Sequence, residues 1–508
     1  MKKLYTIVSL MLSSLSIMAT DFKDCSMAIK SNISTNIEKS NTTVSINGRT
    51  FSINGLKYDN TDLGNVELTN LQIIDGYGDG TMVYATSEPQ YITIGGEKVA
   101  ANFRGEVRNS KFRGILNLTI NGSNYIAMIG DKADELGQLP NAGFEEFHTA
   151  TVTIKDLLAP SGTFKSDEPN SWHSFQSATG SKKKYVGSSI DTYKEDNDKR
   201  TGSTDKRCVK IQSSIVKVVG IEKSANGTMT TGRLYAGSTS AIDPANNSTM
   251  DFADKDKDGN GDPFYPIFTT KPDAMTVWVK FKGNVKDHPN ATVKAILAND
   301  RVQDPEKDDY KKNVIARAAN KQIESKNFAW QELNIPFKYE NKNTPKGMLV
   351  TISTNAEAGK ASSDKNNLDV IYVDDIAMIY NSGLKSAQYK NTNLSFANNK
   401  TAIEIEGKAN EADFSIASDG EGAYISKVLK TNESETGKST LYITITSNDL
   451  QKSNCFEVAI TDKTATGIFN IKNDSNATSS TLYNLAGQQV SNSYKGIIIK
   501  NGKKYINK

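Results

Sequence analysis

Asn-Gly dipeptides recur along this 508-residue chain, at 47–48, 54–55, 121–122, 226–227, 260–261 and 501–502. Asn-Gly supplies the two positive-φ positions of a type I′ turn, which folds two strands back on each other with matched twist. The flanks alternate with period two. Val44 and Ile46 precede the first turn, and Phe51 and Ile53 follow it. Leu116, Leu118 and Ile120 precede the third, and Tyr125, Ala127 and Ile129 follow it. Side chains at i and i+2 share one face of a strand, so this pattern predicts half-buried strands joined by hairpins. The expected fold class is therefore all-β.

The first 20 residues follow another logic. Lys2 and Lys3 precede a mostly apolar run over 4–18, with Ala19 as a small residue for cleavage. That is the pattern of a secretory signal peptide over 1–20, so the mature chain is expected to be secreted or held at the cell surface. No later stretch approaches the length of apolar sequence that a membrane helix needs. Net charge is +3, and the densest basic stretch, Lys182 to Lys184 with Lys194, Lys199 and Arg200, is interleaved with Ser, Gly and Asp. A solvated loop is the simpler reading of it, and no nucleic-acid partner is expected. Cys25, Cys208 and Cys455 are odd in number and widely spaced, which suits neither a disulfide framework nor a zinc motif.

Four segments follow the leader. Over 21–137 short strands are predicted around 43–53, 66–74, 81–85, 91–94, 98–107, 112–120 and 124–129. This number of strands suits a closed up-and-down barrel, which leaves no exposed edge. The closing hairpin, Leu116 to Ile120 with Tyr125 to Gly130, resembles the calycin-like β-barrel domain of secreted bacterial proteins. The resemblance implies either an apolar ligand inside the barrel or a side-chain-filled spacer.

The segment 138–382 opens with Asn141-Ala142-Gly143-Phe144-Glu145 and closes with Tyr372-Val373-Asp374-Asp375-Ile376. Between them, in order, come Trp172-His173-Ser174-Phe175, Arg233-Leu234-Tyr235, Val277-Trp278-Val279 and Trp330 with Ile335-Pro336-Phe337. This bracket and series resemble jelly-roll carbohydrate-binding modules and, more narrowly, the PCMD family, whose name refers to carbohydrate metabolism. The resemblance implies a jelly-roll β-sandwich associated with glycans. It also implies a structural Ca²⁺ shared by the first and last strands, with Glu145 and Asp375 as ligands. The segment 383–463 alternates around 401–406, 439–446 and 456–460 and reads as a small immunoglobulin-like sandwich. The tail, 464–508, is expected to form hairpins. Leu482-Tyr483-Asn484-Leu485-Ala486-Gly487 followed by Gly496-Ile497-Ile498-Ile499 resembles the C-terminal sorting domain of type IX secretion cargo, although that pattern usually has Tyr where Ile498 stands. It implies the secretion machinery as a partner.

Candidate site residues come from chemistry. Asp254, Asp256, Asp258, Gly259 and Asp262 match positions 1, 3, 5, 6 and 9 of an EF-hand loop, while position 12 falls on Tyr265 instead of Glu. Carboxylates at alternate positions before a turn glycine are how a short loop wraps Ca²⁺, so a partial calcium loop is expected, set against an acidic solvated turn. Sugar binding needs flat aromatic faces with polar groups nearby. Trp172, His173 and Phe175, grouped in a polar turn, and Trp330 are the ligand-binding candidates, with Tyr185, Tyr193 and Tyr235 behind them. Trp278, between two valines, reads as structural. His148, His173 and His288 are too few and scattered to predict a multi-histidine metal site, and no Gly-x-Ser-x-Gly elbow exists. The sequence thus points to non-catalytic capture of an extracellular glycan, braced by calcium. A glycoside hydrolase and a structural adhesin are the alternatives.

Overall fold

The computed structural model describes residues 20–200, 202–465, 481–500 and 503–507. Residues 1–19 of the proposed leader and the Asn501-Gly502 turn lie outside them. Nearly all regular structure is β, and no described helix is long and apolar enough to cross a membrane. Each sheet draws its strands from one of four consecutive stretches of chain.

The first stretch holds ten strands: β1 (Thr20–Ser31), β2 (Ser34–Asn47), β3 (Thr50–Tyr58), β4 (Thr61–Leu68), β5 (Gln72–Ile74), β6 (Met82–Ala85), β7 (Gln90–Ile94), β8 (Glu97–Arg108), β9 (Lys111–Ile120) and β10 (Ser123–Ile129). They form one sheet in the order β4-β3-β2-β1-β10-β9-β8-β6-β5, with β7 also on β8. The expected barrel is therefore not closed. The reason lies in β8, whose length takes two partners on one edge: β6 lies against Arg104 to Val107 and β7 against Glu97 to Ala101. The row ends there, and no ladder joins β7 to β4. Instead the Gln90 side-chain amide donates to Thr69 O (2.6 Å) and accepts from Thr69 N (3.1 Å) beside the gap. The interior is packed with side chains: the rings of Phe51 and Phe103 stack 4.0 Å apart, and Leu56, Val66 and Leu116 are fully buried around them.

Of the Asn-Gly pairs, 121–122 behaves as expected, with positive φ at both residues between the paired Ile120 and Ser123. Asn54-Gly55 does not turn the chain. It forms a bulge inside β3, where the register with β4 slips between Ile53 and Leu56.

The second stretch is larger. A hairpin of β11 (Phe147–Ile154) and β12 (Gly162–Pro169) leads to β13 (Thr192–Glu195), β14 (Cys208–Gln212), the hairpin β15 (Ser214–Val218) and β16 (Ile221–Ala225), β17 (Thr228–Thr230), β18 (Arg233–Ala236) and β19 (Asn246–Met250). Then come β20 (Ala274–Lys282), β21 (Ala291–Ala298), β22 (Val302–Asp304), β23 (Val314–Ile323), β24 (Trp330–Pro336), β25 (Lys338–Tyr339), β26 (Gly347–Ser353) and β27 (Val370–Ile379). Two five-stranded antiparallel sheets, β13-β14-β27-β20-β24 and β17-β26-β21-β23-β25, share one core. Val277, Val279 and Phe281 from the first sheet meet Val293, Ala295, Val350 and Ile352 from the second. Period-two alternation sends the residues between them to the outer faces. Trp278 is one of these. It stands half-buried opposite its valine neighbours, with the Arg200 guanidinium 5.0 Å from its ring.

The third stretch packs a three-stranded sheet against a four-stranded one around Phe414, Leu441, Ile443 and Val458. In the latter, strand Lys400–Ile405 runs parallel to Ser453–Asp462. The tail residues 481–500 and 503–507 make a small four-stranded antiparallel sheet. All three cysteines are free thiols.

Candidate functional site

On the outer face of the second sheet, alternation aligns Thr228 of β17, Thr292 and Lys294 of β21, and Thr351 and Ser353 of β26. These form the floor of a cavity of about 270 Å³. Phe175, Tyr185, Leu234 and Tyr235 stand along its walls, and Asn226 and Asn246 lie at its edge. Tyr235 is 41% exposed, so part of this residue remains open to a ligand. Lys294 is held by both carboxylate oxygens of Asp304 at 2.7 Å. Three buried polar atoms of this lining, Thr292 Oγ1, Thr351 Oγ1 and Asn226 Oδ1, have no hydrogen-bond partner among the described residues. A buried polar atom left unpaired costs about 1–3 kcal/mol. Behind the floor, Asp191 accepts from Thr228 N at 3.0 Å. Burial pushes its carboxyl up to about 7, against the pull of the Thr228 and Phe175 amides.

The predicted site residues fall in separate places. Phe175 reaches the cleft, as do Tyr185 and Tyr235. Trp172 does not: it is fully buried against Phe144, and its Nε1 donates to Pro140 O at 3.2 Å, so neither face can stack on a sugar. His173 is buried too, its ring 4.5 Å from that of Phe264. Trp330 lies on the outer face of the other sheet, half-buried, donating to Asp198 Oδ1 at 3.2 Å and edge-on to Tyr372. Thr292, Thr351 and Asn226 escaped sequence reasoning. Their signal, polar residues alternating with Val293, Val350 and Ile352, gains meaning only once β21 and β26 are known to be adjacent.

The acidic loop is not laid out as one calcium cup. Arg233 draws Asp256 (2.7 Å) and Asp254 (3.6 Å) to one side. Asp262 accepts from Ser171 N at 2.8 Å. Asp258 turns inward, toward His148 and His173. At the bracket, Glu145 accepts from Lys206 N (2.8 Å) and Arg207 N (3.2 Å), while Asp375 is ion-paired with Arg200. Carboxylate oxygens of Asp205, Asp374 and Asp375 lie within 4.8 Å of one another. Asp374 is buried with Oδ2 unpartnered among the described residues, and burial, with Asp375 beside it, pushes its carboxyl up to about 7. This trio, with Asp375 but without Glu145, could hold a hard cation.

Comparison with protein-family models, with curated proteins and with solved structures returned no match.

Proposed function

We propose that this is an exported, non-catalytic binding protein that captures a glycan in the cleft over β17, β26 and β21. The observation that carries the reading is the combination in one cleft of an exposed Tyr235, apolar walls from Phe175 and Leu234, and polar floor side chains from Thr228, Lys294 and Ser353. A pyranose offers the complement: a C–H face for the aromatic ring and a ring of hydroxyls for the polar atoms. Export rests on the leader-like residues 1–20 and the sorting-like tail. The PCMD-like bracket adds the carbohydrate association. Calcium is the ion proposed at Asp205, Asp374 and Asp375, as a brace where Ala142 O accepts from Ile376 N at 3.0 Å.

A glycan-array screen of the purified full chain tests this, followed by titration of any hit. Tyr235→Ala should weaken binding at least tenfold, and Trp330→Ala, on the opposite sheet, should leave it unchanged. Silence of the folded protein on every glycan, or loss with Trp330→Ala alone, would overturn the proposal.

A further inference from the structure

His148 on β11 and Glu168 on β12 are direct cross-strand partners, so their side chains leave the hairpin on the same face. His173 follows β12 and is pinned by a two-residue bridge to Thr230. Asp258 arrives from the acidic loop 251–263, which is closed on itself by Asp258 N to Asp262 O at 3.0 Å. Four potential ligand residues from three separate pieces of chain thus meet in the interior. The Glu168, His173 and Asp258 side chains are fully buried, and that of His148 is 10% exposed.

The distances do not describe an ion-pair network. His148 Nε2 is 3.7 Å from Glu168 Oε2 and 3.6 Å from Asp258 Oδ2, and His173 Nε2 is 3.4 Å from Asp258 Oδ2. Charge-assisted hydrogen bonds close to about 2.7–2.9 Å. Accordingly His148 Nε2, His173 Nε2 and Asp258 Oδ2 have no hydrogen-bond partner among the described residues, although all are buried. Donors held about 2.0–2.2 Å from one tetrahedral centre are about 3.4 Å apart, which is the spacing seen here. The nearest donors of His148, Glu168 and Asp258 all lie within 4.8 Å of one another, whereas His173 approaches only Asp258.

The far side of each member of this trio is already tied down. His148 Nδ1 is 3.2 Å from Asn170 Oδ1, a contact that leaves Nε2 free to ligate. Glu168 Oε1 accepts from Ser174 N at 2.7 Å and from the Ser174 hydroxyl, and Oε2 accepts from Ser177 Oγ at 2.6 Å. Asp258 Oδ1 accepts from the amides of Asp262 (2.8 Å) and Asn260 (2.9 Å). Outer partners of this kind orient metal ligands and fix the histidine tautomer. A neighbouring cavity of about 230 Å³ is lined by Phe175, Ser177, Arg233, Asp258 and Phe264.

We propose that His148 Nε2, Glu168 Oε2 and Asp258 Oδ2 bind a divalent transition metal of the zinc class. Imidazole nitrogens select such ions over calcium or magnesium, which take oxygen donors. The bound ion clips the β11–β12 hairpin to the acidic loop and fixes the chain just ahead of Phe175, a wall of the cleft.

The test is titration of Zn²⁺ into chelator-treated, dialysed full chain, read by calorimetry and by thermal melting. One high-affinity Zn²⁺ per chain is expected, with a rise in Tm and no competition from Ca²⁺. His148→Ala and Asp258→Asn should each weaken binding at least 100-fold and remove the rise, whereas His288→Ala, remote and paired with Glu357, should change neither. Wild-type protein loaded with Co²⁺ reports independently of any variant, through the strong visible bands of four-coordinate cobalt. Absence of Zn²⁺ binding by the folded wild type, unchanged binding in folded His148→Ala and Asp258→Asn, or only the weak bands of six-coordinate Co²⁺ would overturn the proposal.

Discussion

Asp191 is sealed between the cleft floor and the start of its wall, and its carboxyl keeps a proton that the unfolded chain would release. An unfolded aspartate titrates near 3.9, so between about 4 and about 7 the native state binds more protons than the unfolded one. Stability should therefore fall with rising pH across that window, by about 1.4 kcal/mol per unit, and level off above it. Asp191→Asn keeps an oxygen for the Thr228 amide and carries no charge. Its urea midpoint should exceed that of the wild type at pH 8 and converge with it at pH 5. No local pattern marks Asp191 as buried, and the same difficulty explains Trp172. Its neighbours Asn170, Ser171, His173 and Ser174 look like an exposed turn, yet Ser174 is buried on Glu168 and Trp172 goes inward with it. Polarity signals exposure only when the polar groups lack each other as partners. The convergence of His148, His173 and Asp258 was equally hidden, because three pieces of chain meet there and none of their spacings records it.

Strands were the most legible element. Val44, Ile46, Phe51 and Ile53 are all buried, as their alternation predicts. The same rule read carefully places Trp278 outward, because both flanking valines are core residues. What alternation cannot give is which strands are neighbours, and the open barrel turned on that. β26 allows a sharp test of the two faces. Ile352 is fully buried in the core, so Ile352→Ala should cost about 2–5 kcal/mol in denaturant unfolding. The adjacent Thr351 lies on the cleft side with a buried, unpaired hydroxyl, so Thr351→Val should leave stability unchanged or raised. Equal losses of stability for both would contradict the register.

At the scale of the molecule, the first three stretches are bonded across their boundaries. Arg104, buried in the first, donates to Thr269 O (2.9 Å) and Oγ1 (2.7 Å) in the second. Tyr77 donates to Lys346 O at 2.8 Å within a mixed cluster with Phe252 and Tyr265. Tyr424 of the third donates to Thr86 O at 3.0 Å, and Leu450 is buried against Ile115 and Ile126. These contacts should melt together in one calorimetric transition, and Tyr424→Ala with Leu450→Ala should split the third stretch off as a separate, earlier one. The position of β27 carries a further consequence. It lies in the middle of its sheet, between β14 and β20, yet it is the last strand of that pair of sheets to be synthesised. A growing chain that has not reached residue 379 leaves β14 and β20 without the strand that joins them, each with an unpaired edge. The core stays open until some 230 residues have waited for their centre, which makes its assembly slow and late. A chain of this design spends its time on the ribosome unfinished, and in that state it remains threadable.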